Sequence, residues 1–260
     1  PSRLAQTLKR AQSSFRKKYK RDRRAIVAAG DRLMADHKGY GVSHADIIIE
    51  AIFEEWPELA TTSHRAVVLC GPGNNGGDGY VIARCLSQRD VDVTVFLLSE
   101  HARVAGDAAA NLELLSPLGV PVVEIPNLDA FDAVRATMRD RDLWIDAILG
   151  TGLRSEVRGY FKEVIDFINS LDLPVFAVDV PSGLNTDTGQ PCGSCIRAHA
   201  TATFGFAKTG HFQYPGTALS GKLHVVDIGI PPHVVEEVAP RQFLLTDRDV
   251  QNDISPRPPD

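Results

Sequence analysis

From residue 65 onward the chain alternates two hydrophobic rhythms. Short apolar runs rich in β-branched and aromatic residues fall at 66–69, 91–97, 120–125, 143–148, 175–180, 200–204 and 222–226. Between them, 77–88, 105–116, 129–139 and 161–171 repeat apolar residues at helical spacing. Strands joined through helices of this length cannot form hairpins, so the pattern predicts a parallel sheet with crossover helices. Several of the runs are apolar without alternation, as strands covered on both faces must be. The expected fold class is therefore α/β: a three-layer α/β/α sandwich, Rossmann-like, with a mostly parallel sheet. Upstream, 47–56 is apolar on more than one helical face and is expected to be buried on the sandwich or against a partner subunit.

Composition leaves this picture intact. A chain of 260 residues, 43% hydrophobic and 23% charged, has the make-up of an ordinary globular protein and excludes disorder. Its apolar runs fall far short of the ~18–20 residues that span a bilayer. Four cysteines are too few for a disulfide framework, which points to a reducing, cytoplasmic home and no membrane partner. Charge changes more. Residues 1–24 hold ten Lys or Arg against the single Asp22, leaving 18 basic against 32 acidic residues for the rest. The expected organisation is a basic N-terminal arm (1–24), one α/β domain (25–243) and a linker-like tail (244–260) that ends in Ser255-Pro256-Arg257-Pro258-Pro259-Asp260. A charge run is most often a solvated helical face, and Leu4, Leu8, Ala11 and Phe15 offer that arm an apolar stripe.

Three segments at expected strand ends carry the chemistry. The first, Gly71-Pro72-Gly73-Asn74-Asn75-Gly76-Gly77-Asp78-Gly79, contains G-x-G-x-x-G between a strand and a helix, where bare backbone N–H groups suit phosphate. Asp78 is discordant, because a carboxylate would repel a pyrophosphate. Two amides, a carboxylate and open backbone suit a ligand combining hydroxyls, phosphate and a hard cation; the bland reading makes Asp78 a helix N-cap. In the second segment Asp146 sits among apolar residues of Trp144-Ile145-Asp146-Ala147-Ile148-Leu149, before Gly150 and Gly152, a costly placement unless the charge is paired or coordinated. In the third, Val178-Asp179-Val180-Pro181-Ser182-Gly183-Leu184-Asn185, Asp179 closes a strand. Ligands of open α/β sheets bind at the carboxyl edge, so the three segments should converge on one crevice. Lys208, after the sixth strand, is a further candidate for phosphate binding or proton transfer. Cys192, Cys195 and His199 give an incomplete zinc spacing, and a zinc site is not expected.

These segments, with Phe204-Gly205-Phe206-Ala207-Lys208-Thr209-Gly210, resemble in sequence and order the NAD(P)H-hydrate epimerases, the YjeF N-terminal-domain family. The resemblance runs from about Ala25 to Pro231 and is stronger after Arg65. It implies a Rossmann-like homodimer that interconverts the R and S hydrates of NADH and NADPH and binds a potassium ion. By matching position it implies substrate contacts at Asn74, Asn75, Gly76, Gly77 and Asp78, at Gly150, Thr151, Gly152, Leu153, Arg154, Ser155 and Glu156, and at Asp179. It implies potassium ligands Asn75, Asp146 and Ser182, where the residues alone do not separate potassium from magnesium. Asp179, closing a strand at the crevice, is the expected proton-transfer residue, with Lys208 as the second catalytic group. Leu244-Leu245-Thr246-Asp247-Arg248-Asp249-Val250 and the proline-rich end look like the junction before a fused ADP-dependent hydrate dehydratase domain. Where family members carry a Met-Glu-Asn-Ala-Gly-like run, this chain has Gly41-Val42-Ser43-His44-Ala45, a departure that bears on one wall of the pocket and the dimer contact. The competing readings are a non-enzymatic dimeric scaffold of the same fold that contacts RNA, and a nicotinamide-dependent dehydrogenase with Glu100 on the ribose. The acidic cluster of Asp78, Asp146 and Asp179 argues against nucleic acid as a partner.

Overall fold

The computed structural model describes residues 44–60, 64–238 and 244; the expectations for the basic arm, for residues 41–43 and for nearly all of the tail lie outside them. The described chain begins with helix α1 (His44–Glu55) and then builds a seven-stranded sheet in the order β3-β2-β1-β4-β5-β6-β7, parallel at every pairing. Its strands are β1 (Arg65–Cys70), β2 (Asp92–Leu97), β3 (Val122–Glu124), β4 (Leu143–Ala147), β5 (Val175–Val178), β6 (Ala200–Phe204) and β7 (Lys222–Val226). The connecting helices are α2 (Asn74–Ser87), α3 (Gly106–Glu113), α4 (Leu128–Met138), α5 (Gly159–Asn169) and α6 (Gly216–Ser220), and α7 (Pro232–Val238) follows β7.

The period of two along each strand separates the core into two clusters. In β1, Ala66, Val68 and Cys70 face α1, α2 and α3, whereas Val67 and Leu69 face α4 and α5. The same split runs through β5, where Phe176 and Val178 lie on the first face and Val175 and Ala177 on the second. Helix α1 lies on the sheet itself, burying Ile48, Ile49 and Ile52, and Trp56 just beyond it meets Phe176 edge-on at 6.2 Å between ring centroids. Of the two surroundings expected for that helix, the sandwich holds it. The third strand is shorter than the apolar run predicts. Pro121 brings no N–H and β3 is an edge strand with one neighbour, although Val95 N–H reaches the Pro121 carbonyl and Ile125 N–H reaches that of Leu97.

Helix α2 presses onto the ends of β1 and β4 so closely that no side chain fits at Gly79, although Tyr80, Ile82 and Leu86 of the same helix are buried in the core. A Cβ at Gly79 would lie 2.6 Å from Ala147 Cβ and 2.7 Å from Cys70 Sγ. Gly79→Ala is therefore expected to lower unfolding free energy by about 1–3 kcal/mol, overriding the ~1 kcal/mol that alanine gains over glycine in a helix interior. Urea denaturation of the two proteins measures it; equal or higher stability in the variant would show that the helix can back away without loss.

Candidate active site

The strand order reverses between β1 and β4, whose chains leave toward opposite edges of the sheet, and the carboxyl ends of such a pair are where open α/β sheets form a ligand crevice. Residues 74–78 border it, although not as the extended glycine loop that the sequence suggests. Helix α2 starts at Asn74, with Gly73 as its N-cap and no side-chain cap, and Gly77 N–H already donates to the Gly73 carbonyl at 3.1 Å. The expected helix start at Gly77 is thus three residues late, and Asp78 is not the cap. Close backbone approach decides the matter: a Cβ at Gly76 would sit 1.9 Å from the Gly71 carbonyl oxygen, so packing selects a glycine-rich turn that propensity alone disfavours. Asn74 stands exposed at the mouth, Asn75 is half-buried, and Gly76 and Gly77 are buried.

Asp146 is completely buried at the end of β4. Its carboxylate accepts Ser182 N–H at 2.7 Å, Ser182 Oγ–H at 2.5 Å and Ile148 N–H at 3.2 Å. Ser182 Oγ also accepts Leu149 N–H at 2.8 Å, locking the segment after β4 to that after β5. Burial pushes the Asp146 carboxyl up to about 6, against the lowering effect of the Ser182 and Ile148 bonds. Among the described residues no Lys, Arg or His pairs with it. One position beyond Leu149, Gly150 leaves room for Asn75: a Cβ there would come within 3.3 Å of Asn75 Cβ and 3.5 Å of its Oδ1. The Asn75 amide is buried with Nδ2 unpartnered. Ser182 is thus bonded to Asp146, with Asn75 beside the neighbouring Gly150, and the three side chains carry oxygens and a single formal charge. This fits a monovalent cation better than magnesium, which keeps its waters and demands near-octahedral ligation.

Across the crevice, β5 ends in a tight reversal. Val180 N–H returns to the Val178 carbonyl at 2.8 Å around Asp179, whose φ is 66°, a γ-turn of the rare, strained hand. Strand β6 ends the same way, with Phe206 N–H on the Phe204 carbonyl at 2.8 Å around Gly205 at φ 70°. Glycine serves the backbone at one turn; at the other an aspartate is held where glycine would be easier. Its side chain explains the difference. Asp179 Oδ1 accepts Lys208 Nζ–H at 2.6 Å, Thr203 Oγ1–H at 3.2 Å and Phe204 N–H at 3.4 Å. Among the described residues nothing bonds Oδ2. Lys208 Nζ also donates to Thr203 Oγ1 at 2.7 Å and to the Phe204 carbonyl at 3.2 Å.

Asp78 completes the acidic lining. Its surface is open to water, yet the concave surroundings and the negative charge of Asp179 raise its carboxyl to about 7, with loss of solvation the larger cause. Of the remaining expected contacts, Gly150 and Leu153 are half-buried, while Thr151, Gly152, Arg154, Ser155 and Glu156 are exposed along the rim. Glu156 accepts both Arg158 Nε–H at 2.9 Å and Nη2–H at 2.5 Å, and its Cγ lies 2.8 Å from where a Gly193 Cβ would stand. His199 Nδ1 accepts Val175 N–H at 3.1 Å, an internal role. Sequence reasoning missed Thr203 and His211. Thr203 alternates with alanine in Ala-Thr-Ala-Thr-Phe, a signal for a polar face on a buried strand. His211 lies three residues after Lys208, accepting its backbone N–H on Nδ1 at 3.2 Å, with Nε2 buried and unpartnered.

An open parallel sheet with acidic, oxygen-bearing residues at its switch point defines a Rossmann-like domain, a class whose ligand sites lie at that edge. Comparison with known proteins narrows this: residues 26–210 match the family described as YjeF-related protein N-terminus, and the chain belongs to that family. It is 40% identical over 199 residues to the bifunctional NAD(P)H-hydrate repair enzyme Nnr of Moorella thermoacetica, covering 76% of this chain and 37% of that protein. It is 34% identical over 178 residues to the NAD(P)H-hydrate epimerase of Pirellula staleyi, covering 68% of this chain and 78% of that one. The chain thus spans little more than a third of the length of such bifunctional relatives. A crystal structure of the yeast protein YNL200c shares the fold, with a TM-score of 0.65 and 22% identity over 79% of this chain and 85% of that one.

His211 supplies a pH test of the site's packing. It is 2% exposed, and burial first and the Lys208 charge second lower its imidazolium to about 4, against the opposing pull of Asp179. Between its ordinary value of 6.5 and about 4 the unfolded chain binds a proton that folded His211 refuses. Its contribution to stability is therefore complete above pH 6.5 and is lost as pH falls, by at most ~1.4 kcal/mol per unit. The stability difference between wild type and His211→Gln, followed by denaturant titration from pH 7 to 4.5, is expected to shrink at up to that rate. A constant difference would mean that His211 protonates freely in the folded protein.

Proposed function

We propose that the chain is an epimerase acting on hydrated NADH and NADPH, equilibrating the R and S forms. The observation that carries this reading is Asp179, held in a strained turn with one carboxylate oxygen tied to Lys208 and the other left free at the crevice, in a chain of this family. The names of relatives such as those of Moorella and Pirellula support the substrate class. The free α2 N-terminus, without a side-chain cap, suits the pyrophosphate, and the exposed 150–156 rim suits the remainder of a dinucleotide.

Reversing the stereocentre that carries the added hydroxyl requires loss and re-addition of water, or opening and reclosure of the ring. Either route takes one proton off and returns one. Asp179 Oδ2 accepts and returns it, and Lys208 compensates the change of charge. Potassium is the proposed cofactor, held by Asn75, Asp146 and Ser182; when bound it supplies positive charge that orients substrate oxygens. A homodimer in a reducing cytoplasm, working beside a fused or separate ADP-dependent hydrate dehydratase, completes the proposal; the bifunctional relatives support the last partner, and the free state of Cys70, Cys85, Cys192 and Cys195 is compatible with the compartment.

The direct test is an assay on a mixture of the two hydrates in potassium against sodium buffer. Equilibration is expected, faster in potassium, and a wild-type protein that leaves the epimers unequilibrated in both would refute the activity. Asp179→Asn keeps shape and most hydrogen bonds but cannot exchange the proton, so it is expected to bind the hydrate while converting it ~10²–10⁴-fold more slowly. Weakened binding with an unchanged single-turnover rate would instead make Asp179 an anchor. Asp146→Ala, checked for folding by circular dichroism, is expected to lose the response to potassium along with activity; an undiminished response would move the cation elsewhere.

A further inference from the structure

Thr203 stands completely buried at the end of β6, between the two charged groups of the site. The direction of its bonds follows from chemistry alone. An ammonium group has only donors, so across the 2.7 Å contact with Lys208 Nζ the Thr203 oxygen must accept. Its one proton is then free to donate to Asp179 Oδ1 at 3.2 Å. Lys208 in turn has its three N–H groups placed on Asp179 Oδ1, Thr203 Oγ1 and the Phe204 carbonyl. These bonds close a ring of Asp179, Lys208 and Thr203 in which every hydrogen is accounted for, and two of the bonds, from Lys208 Nζ and from Thr203 Oγ1, end on the same carboxylate oxygen.

We propose that Thr203 is a positioning residue which, by bonding Lys208 and Asp179 together, fixes Oδ1 in place and presents Oδ2 as the proton-exchanging atom. This rests on the epimerase reading above. Lys208 acts in it as a fixed internal counter-charge, since any bond from its ammonium to a substrate phosphate would have to break one of the three it already makes. The register places the parts: Val178, the last residue of β5, pairs with Ala202, so Asp179 in the turn just past β5 follows one residue of this pair and Thr203 on β6 follows the other. Without the hydroxyl, Lys208 keeps one N–H without an acceptor and Asp179 gains freedom to turn about its side-chain bonds. The reacting oxygen is then poorly placed, while the surface that binds the dinucleotide is unchanged.

Thr203→Val, which keeps the shape and removes the hydroxyl, is expected to lower kcat about 10- to 100-fold with KM and hydrate affinity within about threefold, the loss expected of one hydrogen bond in a charged network. Thr203→Ser is expected to restore kcat to within about threefold of wild type. The control is Thr201→Val on the same strand face, whose hydroxyl donates to the Ser220 carbonyl at 2.7 Å, away from the ring; it should lose stability and keep kcat. Where Thr203→Val does not fold, Thr203→Ala and Thr203→Ser carry the comparison. Wild-type kcat in Thr203→Val or Thr203→Ala overturns the proposal, as does a loss of kcat in Thr203→Ser equal to that in the hydroxyl-free variant. A wild-type protein with no epimerase activity is a different failure, that of the underlying reading, and the same assay registers it first.

Discussion

The buried carboxylate of Asp146 is the constraint around which the functional edge of the sheet is organised. A charge at the end of a central strand is tolerable only if its hydrogen-bonding capacity is met, and the donors are backbone and hydroxyl groups from two neighbouring loops. Ser182 gives both N–H and Oγ–H, and Ile148 adds a third donor. The ends of β4 and β5 are thereby fixed to one another, and Leu149 is held through Ser182. This sets Gly150 against Asn75 and so brings α2 into register with both loops. Substitution at Asp146 would consequently disturb a framework as well as the proposed cation site, so its two roles are separated by the response to potassium and not by activity alone.

The other half of the crevice relies on backbone strain. Successive strands end in γ-turns of the same hand, one centred on Gly205 and one on Asp179. A non-glycine residue with positive φ persists only where surrounding structure compensates it. Here the compensation is visible: Asp179 N–H bonds the Ala202 carbonyl at 2.7 Å, and its side chain is held by Lys208, Thr203 and Phe204. The turn projects the carboxylate sideways over β6 instead of along the strand axis, and that places it beside Lys208, a residue twenty-nine positions later in the chain.

The strands and the carboxyl-edge location of the three acidic segments were legible in the sequence because they follow from periodicity and chain order. The helix at Asn74 was not. Asparagine and glycine are poor helix formers, and what forces them into a turn is contact with the Gly71 carbonyl, a tertiary fact. Thr203 was equally hidden, since threonine in a strand is ordinary β propensity; only the pairing of β5 with β6 puts it beside Asp179. Asp78 was read as discordant with phosphate binding, and its position on α2 facing Asp179 alters that judgement.

Three carboxylates around a site proposed to take a dinucleotide would ordinarily repel it, and the structure answers each charge differently. Asp179 is neutralised as an ion pair with Lys208 at 2.6 Å. Asp146 lies behind its hydrogen bonds, and the proposed potassium ion would balance its charge. Asp78 has no cationic partner among the described residues, but with its carboxyl raised to about 7 it is largely protonated below neutral pH. A protonated carboxyl donates a hydrogen bond, so the group that most opposed a phosphate-bearing ligand as an anion can hold one of its oxygens as an acid. The proximity of Asp179 contributes to that protonation. Weakening the Lys208 pair would leave Asp179's negative charge less compensated beside Asp78, coupling the two walls of the crevice: the ring proposed to position the proton-exchanging oxygen would also moderate the charge that the proposed ligand meets on entry.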